Sequence, residues 1–273
     1  MDTPANDGAD RIAVGWDRSP QRSLSLRAEA YCEQQWYDFE QAGIFARSWQ
    51  WVCHSEKLAE PGSYVAITVA GNPICVVRGA DGELRAFYNV CRHRAHELLS
   101  GEGRVPRIMC PYHAWTYDLT GRLVRAPHTE GLEGFAMDEI CLSRIQAEEF
   151  GGFVYVNLNA DARPLAEQTG TLGDEIRHWA PDVDRLTFAH RLTYDIRSNW
   201  KNVVDNFLEC YHCPVAHKDF CTLVDMDTYR VETHGTWSSH MAEAGKGTNS
   251  AYSVEGATVR DHAVWWLWPN TPP

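Results

Sequence analysis

The chain has 273 residues, enough for one large or two ordinary domains with ample core. Hydrophobic residues make up 44% of it and the formal net charge is −12, which disfavours a nucleic-acid binder, since neutralising phosphates needs a basic patch. No apolar run is long enough to span a bilayer, and the start, Met1-Asp-Thr-Pro-Ala-Asn-Asp-Gly8, has neither the basic nor the apolar stretch of a secretory signal.

The first twenty or so residues are polar, with Gly and Pro, and read as a mobile arm. From about Ala28 to Trp49, Trp36, Phe39, Ile44, Phe45 and Trp49 recur at helical spacing, so residues 1–49 are taken as an arm and a helix. After Pro61-Gly62 the pattern becomes β-rich. Tyr64–Val69, Ile74–Val77 and Leu84–Tyr88 are short strands separated by turns at Gly71-Asn72 and Asp81-Gly82. Further strands are expected at Trp115–Asp118 and Phe153–Asn157, making 50–160 a small antiparallel β domain. Within it lie two mixed pairs, Cys91-Arg-His93 and Cys110-Pro-Tyr-His113, with sixteen residues between them.

Two thiolates and two imidazoles suit an iron–sulfur cluster of Rieske type, in which histidines replace two cysteines on one iron. The competing reading is tetrahedral zinc, for which the same donors suffice. Zinc fingers usually separate cysteines and histidines into different half-sites, whereas each half here is mixed, so the cluster reading is preferred. The nine cysteines are irregularly spaced and do not read as a disulfide framework; a reducing cytoplasm is the expected compartment.

Beyond Asn159 a helix over about 164–179, a strand-like run from Leu186 to Ile196 and a helix starting at Asn199 or Trp200 open a second, α+β unit over 161–273. Asn199 is a suitable N-cap. This last helix carries Asn202, Asp205, Glu209, Cys210, His212, Cys213 and His217. Glu209 and His212 are three apart and would share a helix face. His212 and His217 are five apart, which on a straight helix splays them by more than a right angle. Pro214 is expected to break the helix there and let both imidazoles converge. Two histidines with a carboxylate and open positions suit non-heme Fe(II) and oxygen activation. Cys210, Cys213 and His217 also form a chemically adequate partial zinc set, or the cysteines are small buried apolar groups.

These segments, with Glu149-Phe-Gly-Gly-Phe-Val-Tyr-Val-Asn157, together resemble the α subunit of Rieske non-heme iron oxygenases, the aromatic-ring-hydroxylating dioxygenase superfamily. The passage Asn199-Trp-Lys-Asn-Val-Val-Asp-Asn-Phe-Leu-Glu-Cys-Tyr-His-Cys-Pro-Val-Ala-His217, with Ser238-Ser-His-Met241 and Trp265-Trp-Leu-Trp-Pro-Asn270, is most similar to the stachydrine demethylase, glycine betaine and carnitine oxygenase group. The resemblance implies an α+β fold: an antiparallel β Rieske domain followed by the first part of a helix-grip-like catalytic domain. It implies a [2Fe-2S] cluster on Cys91, His93, Cys110 and His113, and mononuclear Fe(II) on His212 and His217. Ala95 and Ala114 stand where many relatives have Gly.

The resemblance further implies that Glu209 bridges electrons between subunits of a homotrimer, with Asp205 in support. Many relatives have Asp at the Glu209 position. The partners implied are an NAD(P)H-dependent flavin/iron–sulfur reductase, O2 and a small quaternary amine, with no nucleic acid and no membrane. The activity expected is N-demethylation of a substrate such as stachydrine. The alternatives are choline or carnitine monooxygenation, ring hydroxylation of an aromatic acid, and electron carriage alone. Trp237, Tyr252, Trp265, Trp266 and Trp268 are the aromatics available to cage a quaternary ammonium by cation–π attraction. The family's third iron ligand is a downstream carboxylate. Asp225, Asp227, Glu232, Glu243, Glu255 and Asp261 do not stand in a matching frame, so the chain is expected to be a truncated oxygenase that lacks this ligand.

Overall fold

The computed structural model describes residues 15–17, 19, 21–245, 247 and 259–271; most of the expected arm lies outside them. The N-terminal helix of the sequence reading is in fact two, Glu29–Cys32 and Gln34–Gly43, followed by a single 3-10 turn, Phe45–Arg47. The break falls at Glu33, whose extended backbone (φ −93°, ψ 132°) stops one helix and starts the next. Trp36, Phe45 and Trp49 are buried as their spacing suggests, while Phe39 is 56% exposed.

Ten strands follow: β1 (Gln50–His54), β2 (Ser63–Val69), β3 (Asn72–Arg78), β4 (Leu84–Tyr88), β5 (Glu102–Arg104), β6 (Ile108–Met109), β7 (Thr116–Tyr117), β8 (Leu123–Arg125), β9 (Arg144–Phe150) and β10 (Phe153–Asn157). Seven of them form an antiparallel sheet in the order β1-β10-β9-β4-β3-β2-β5, and β6-β7-β8 form a second, small sheet. Ile74-Cys-Val-Val77 in β3 is fully buried on both faces, which is why it reads as an unbroken apolar run. Ile74 and Val76 pack with Val52, Leu58 and Val154, whereas Cys75 and Val77 pack with Phe87, Cys91, Cys110 and Tyr117. The alternation of the strand thus divides one core in two, and the half containing Cys91 and Cys110 is the one that holds their loops.

The helix expected over 164–179 is two helices, Leu165–Thr169 and Leu172–Trp179, because Gly170 turns the chain with φ 52°. The strand expected at Leu186–Ile196 does not form: no described strand pairs with this stretch, and Leu186, Leu192, Tyr194 and Ile196 are 60–75% exposed. Its β-type alternation is real, but alternation makes a strand only where a neighbour supplies a ladder. Helix Trp200–Phe207 comes next, capped by Asn199, whose side-chain oxygen accepts the Lys201 N–H at 3.0 Å. Short helices Cys213–Ala216 and Lys218–Leu223 lead to a three-stranded sheet, β11 (Arg230–Thr233), β12 (Trp237–Ala242) and β13 (His262–Leu267), ordered β11-β12-β13. One face of β12–β13, with Trp237, Met241, Trp265 and Leu267, packs on Trp49, Tyr155, Leu165, Leu172 and Ile176. The opposite face is turned toward helix Trp200–Phe207, with Phe207 against both His240 (5.7 Å between ring centroids) and Trp266 (5.2 Å). Among the described residues no helix is long and apolar enough to cross a membrane.

Candidate metal centres

Two loops with matching backbones carry the Cys/His pairs. In the first, the Cys91 N–H donates to the His96 carbonyl (2.8 Å) and the Cys91 carbonyl accepts the Ala95 N–H (3.0 Å). In the second, the Cys110 N–H donates to the Trp115 carbonyl (2.8 Å) and the Cys110 carbonyl accepts the Ala114 N–H (3.0 Å). The fifth residue of each turn is left-handed, Ala95 and Ala114 both at φ 56°. That conformation costs an L-residue about 1–2 kcal/mol and is free to glycine. Asn89, 1% exposed, ties the base of the first loop by donating to the Leu99 carbonyl and accepting its N–H.

The four side chains divide by type. Cys91 and Cys110 are 3% and 2% exposed, with the two thiols side by side. The His93 and His113 rings lie half-buried nearer the surface, with centroids 4.7 Å apart, and His93 stacks on Trp115 at 4.8 Å. His113 Nδ1 is buried without a hydrogen-bond partner, an arrangement that suits a metal-binding nitrogen. Among the described residues no three His, Cys, Asp or Glu side chains are placed to share one metal ion. A zinc ion needs all four donors to converge on one point. A thiol pair beside an imidazole pair instead fits a two-iron cluster with sulfur on one iron and nitrogen on the other.

Tyr117, unassigned from sequence, completes this site. Its hydroxyl accepts the Arg92 N–H (3.0 Å), so its own proton is free for Cys91 Sγ at 3.3 Å. Burial, then the contact with Cys91, pushes the phenol well above its ordinary range, and it stays protonated. Only its place in a short alternating run four residues past His113 marked it in the sequence.

At the second site the helix ends earlier than its sequence suggests. It stops at Phe207, and the chain passes through Glu209 and Cys210 to a turn at Tyr211–His212, closed by the Cys213 N–H on the Cys210 carbonyl, rather than continuing to Pro214. Pro214 sits in the first turn of the next helix, where its missing N–H is not needed. Glu209 and His212 therefore meet across a turn, not on a helix face. His212 Nδ1 and Glu209 Oε1 are 2.5 Å apart, and the other carboxylate oxygen accepts the Tyr211 N–H. The His212 contact holds the Glu209 carboxyl below its ordinary value against the opposing effect of burial, with the Tyr211 N–H adding to it. With Nδ1 engaged, Nε2 is the nitrogen left for a metal, and a carboxylate fixing the far nitrogen is the usual way a ligating imidazole is oriented.

The His217 ring lies 5.1 Å from that of His212, so the convergence expected of the pair is present. Both line an open cleft of about 630 Å³ with Glu209, Asp219, Phe207 and Tyr229. Among the described residues the two imidazoles are not joined by a third donor. Asp205 is turned elsewhere: it accepts the Tyr31 hydroxyl at 2.7 Å and ties the helix to the N-terminal segment. Burial and that bond push the Tyr31 phenol up to about 12. Cys210 and Cys213 form a disulfide, which removes them from any zinc set; Cys32, Cys53, Cys75, Cys91, Cys110, Cys141 and Cys221 are free thiols. Of the candidate cage aromatics, Trp237 and Trp265 belong to the core behind the sheet, Trp268 packs edge-on against Trp200, and Trp266 alone faces Phe207. Tyr252 lies outside the described residues. Of the carboxylates weighed as a third ligand, Asp225 caps a turn, Asp261 accepts the Ala244 N–H and Glu255 lies outside the described residues.

Residues 48–136 match the Rieske [2Fe-2S] domain and residues 183–271 the catalytic domain of ring-hydroxylating α subunits. The carnitine monooxygenase oxygenase subunit of Escherichia coli (strain K12) is 40% identical over 254 residues, 93% of this chain and 68% of that protein. The glycine betaine monooxygenase oxygenase subunit of Pseudomonas aeruginosa is 34% identical over 77% of this chain and 49% of its own length. The solved structure of the quaternary ammonium Rieske monooxygenase CntA in complex with L-carnitine superposes with a TM-score of 0.78 at 35% identity, covering 89% of this chain and 65% of that one.

Proposed function

The chain belongs to the Rieske non-heme iron oxygenase α subunits, and from that premise we propose that it is the terminal oxygenase component of a quaternary ammonium monooxygenase, with carnitine-type substrates first. The observation that carries this is the pairing of His212 with His217 around a Glu209-bound imidazole, in a chain that also holds the Cys/His quartet. The substrate class rests on the relatives, whose names give carnitine, glycine betaine and choline. None of those cited names stachydrine, so the carnitine reading takes precedence over the N-demethylation of stachydrine expected from sequence. Residues 50–160 form the electron-receiving unit and 161–273 the substrate-oxidising one.

Cys91, Cys110, His93 and His113 would hold the cluster, and His212 and His217 the iron. When bound, the cluster supplies single electrons and the iron activates oxygen. Glu209 keeps His212 in one tautomer and orientation, and offers its charge to a histidine of a neighbouring subunit's cluster loop in an oligomer. Phe207 and Tyr229 line the cleft, where aromatic rings would attract a cation that has no N–H to donate. Oxidation takes one oxygen atom from O2 into a C–H bond beside the nitrogen; two electrons from an NAD(P)H-dependent reductase and two protons carry the other to water. The resulting hemiaminal breaks its C–N bond, releasing formaldehyde from an N-methyl group or trimethylamine from a chain methylene.

The test is turnover with a reductase and NAD(P)H on L-carnitine, glycine betaine, choline, stachydrine and a benzoate, measuring both volatile products. Amine release from carnitine supports the proposal, and oxidation of the benzoate alone overturns it. Tyr117→Phe is expected to lower the cluster's reduction potential by roughly 20–60 mV, the equivalent of one lost hydrogen bond to sulfur. A redox titration followed by electron paramagnetic resonance reads this directly. An unchanged potential would show that the phenol does not donate to Cys91.

A further inference from the structure

Beside the first cluster loop lies an open cleft of about 470 Å³, lined by Cys91, Arg92, His93 and Arg94 from the loop and by Tyr88 and Ser143 from the strands behind it. Its floor is fixed, because the Tyr88 N–H donates to the Ser143 carbonyl at 3.0 Å. No carboxylate lines it. Glu97, the next acid along the loop, is engaged by Asn89 Nδ2 at 3.2 Å. Arg92 and Arg94 are both exposed. The Arg92 guanidinium reaches the Ser143 hydroxyl at 3.4 Å, and the Arg94 guanidinium makes no hydrogen bond or ion pair among the described residues. In a chain of net charge −12 this is a local reversal of sign, set directly over a cluster cysteine.

The other side of the cluster loops differs. A second cleft, of about 550 Å³, runs along His93, His113, Trp115, Leu132 and Phe135 and carries no arginine, lysine or carboxylate. His93 alone lines both clefts. The quartet is therefore reached in two ways of opposite character, at a cysteine through positive charge and at the histidine pair through neutral, largely aromatic surface. Glu209 of a neighbouring subunit, which offers its charge to a cluster histidine, needs the second. The cationic approach is left for the molecule that delivers electrons.

Unneutralised surface charge steers an oppositely charged partner and raises its encounter rate, and here no internal ion pair has to break for it to act. We propose that the Arg92/Arg94 cleft is the docking surface for an acidic one-electron donor, the iron–sulfur domain of the reductase, whose carboxylates meet the two guanidiniums while a projecting residue seats against Cys91. One electron then crosses: the donor is oxidised by one, the cluster is reduced by one, and no bond forms or breaks. Entry at the cysteine side and exit at the histidine side allow the donor to stay docked while the cluster discharges. The inference deepens the function proposed above and rests on it in taking the quartet as a cluster served by a reductase.

The probe is an acidic plant-type [2Fe-2S] ferredoxin in its oxidised form, titrated calorimetrically into the full chain with its own cluster loaded and oxidised. Without electron transfer the heat reports docking alone, so arginines that only tune the cluster's potential would leave it unchanged. Wild type is expected to bind about tenfold more weakly as sodium chloride rises from roughly 20 to 500 mM. Arg92→Glu/Arg94→Glu is expected to lose about tenfold or more at low salt, and most of the salt dependence with it. Arg185→Glu, at an exposed arginine of the second unit, should bind as wild type does. Arg92→Gln/Arg94→Gln gives a second reading should the double reversal fail to load its cluster, with a smaller loss in the same direction. No binding by wild type, binding indifferent to salt, or equal weakening by Arg185→Glu would overturn the dock. Because no substrate is present, failure of every quaternary amine to turn over would sink the function without touching this result. Normal turnover with ferredoxin binding indifferent to Arg92 and Arg94 would sink the dock alone.

Discussion

Replacing Glu209 by Gln is expected to cut product formation about 10- to 100-fold while both metal centres stay loaded. The carboxylate accepts on both oxygens, from the Tyr211 N–H and at His212 Nδ1. Glutamine has one acceptor and one donor group, so it satisfies only one of these partners and turns an N–H against the other. The imidazole loses a charge-assisted bond, about twice as strong as a neutral one, and with it a fixed tautomer. Glu209→Asp keeps the charge but withdraws it by one methylene, and should fall between wild type and Gln. Iron content, the spectrum of the cluster and product yield measured on the same preparations separate the cases. Full turnover in Glu209→Gln with both centres loaded would remove Glu209 from the electron path.

Replacing Glu40 by Leu should cost about 3–5 kcal/mol of stability, from removing one partner of a buried ion pair. Glu40 Oε1 meets Lys201 Nζ at 2.6 Å, with both side chains 8% exposed, and its Oε2 accepts the Trp200 indole N–H at 2.7 Å. The variant leaves an ammonium and an indole N–H unpaired in the interior. The double variant Glu40→Leu/Lys201→Met removes both charges and is expected to be markedly more stable than the single one. Urea unfolding of the two variants against wild type gives the comparison. A single variant within 1 kcal/mol of wild type would show that water reaches this pair. The pair matters to the metal site because Trp200 and Lys201 open the helix that ends two residues before Glu209. Together with the Tyr31–Asp205 bond it fixes that helix to the N-terminal segment, so iron affinity is expected to fall with stability.

The Cys/His quartet was legible because each pair lies within one tight loop, where spacing alone dictates which side chains meet. The strands around it were legible for the same local reason: Ile74–Val77 and Phe153–Asn157 carry their burial in their own residue types. What stayed hidden depended on distant partners. Leu186–Ile196 alternates like a strand, yet no described strand lies beside it. The helix toward His212 ends at Phe207 because Glu209 turns back onto the Tyr211 N–H and His212, a side-chain competition that propensity does not register. Tyr117 was invisible because its meaning lies in what it touches across the sheets, the Arg92 N–H and Cys91 Sγ.

The matching turns at Cys91 and Cys110 have a consequence for cluster assembly. Each turn is closed by its own peptide hydrogen bonds and by an alanine already in the left-handed region, and none of those bonds runs through a ligand atom. The backbone entropy of the two jaws is therefore lost when the chain folds, not when iron and sulfide arrive. A receptor of that kind is preorganised, so the affinity of the donor set is not diminished by the ordering of its loops. Substitutions that loosen these turns should thus slow the loading of the cluster before they change its colour.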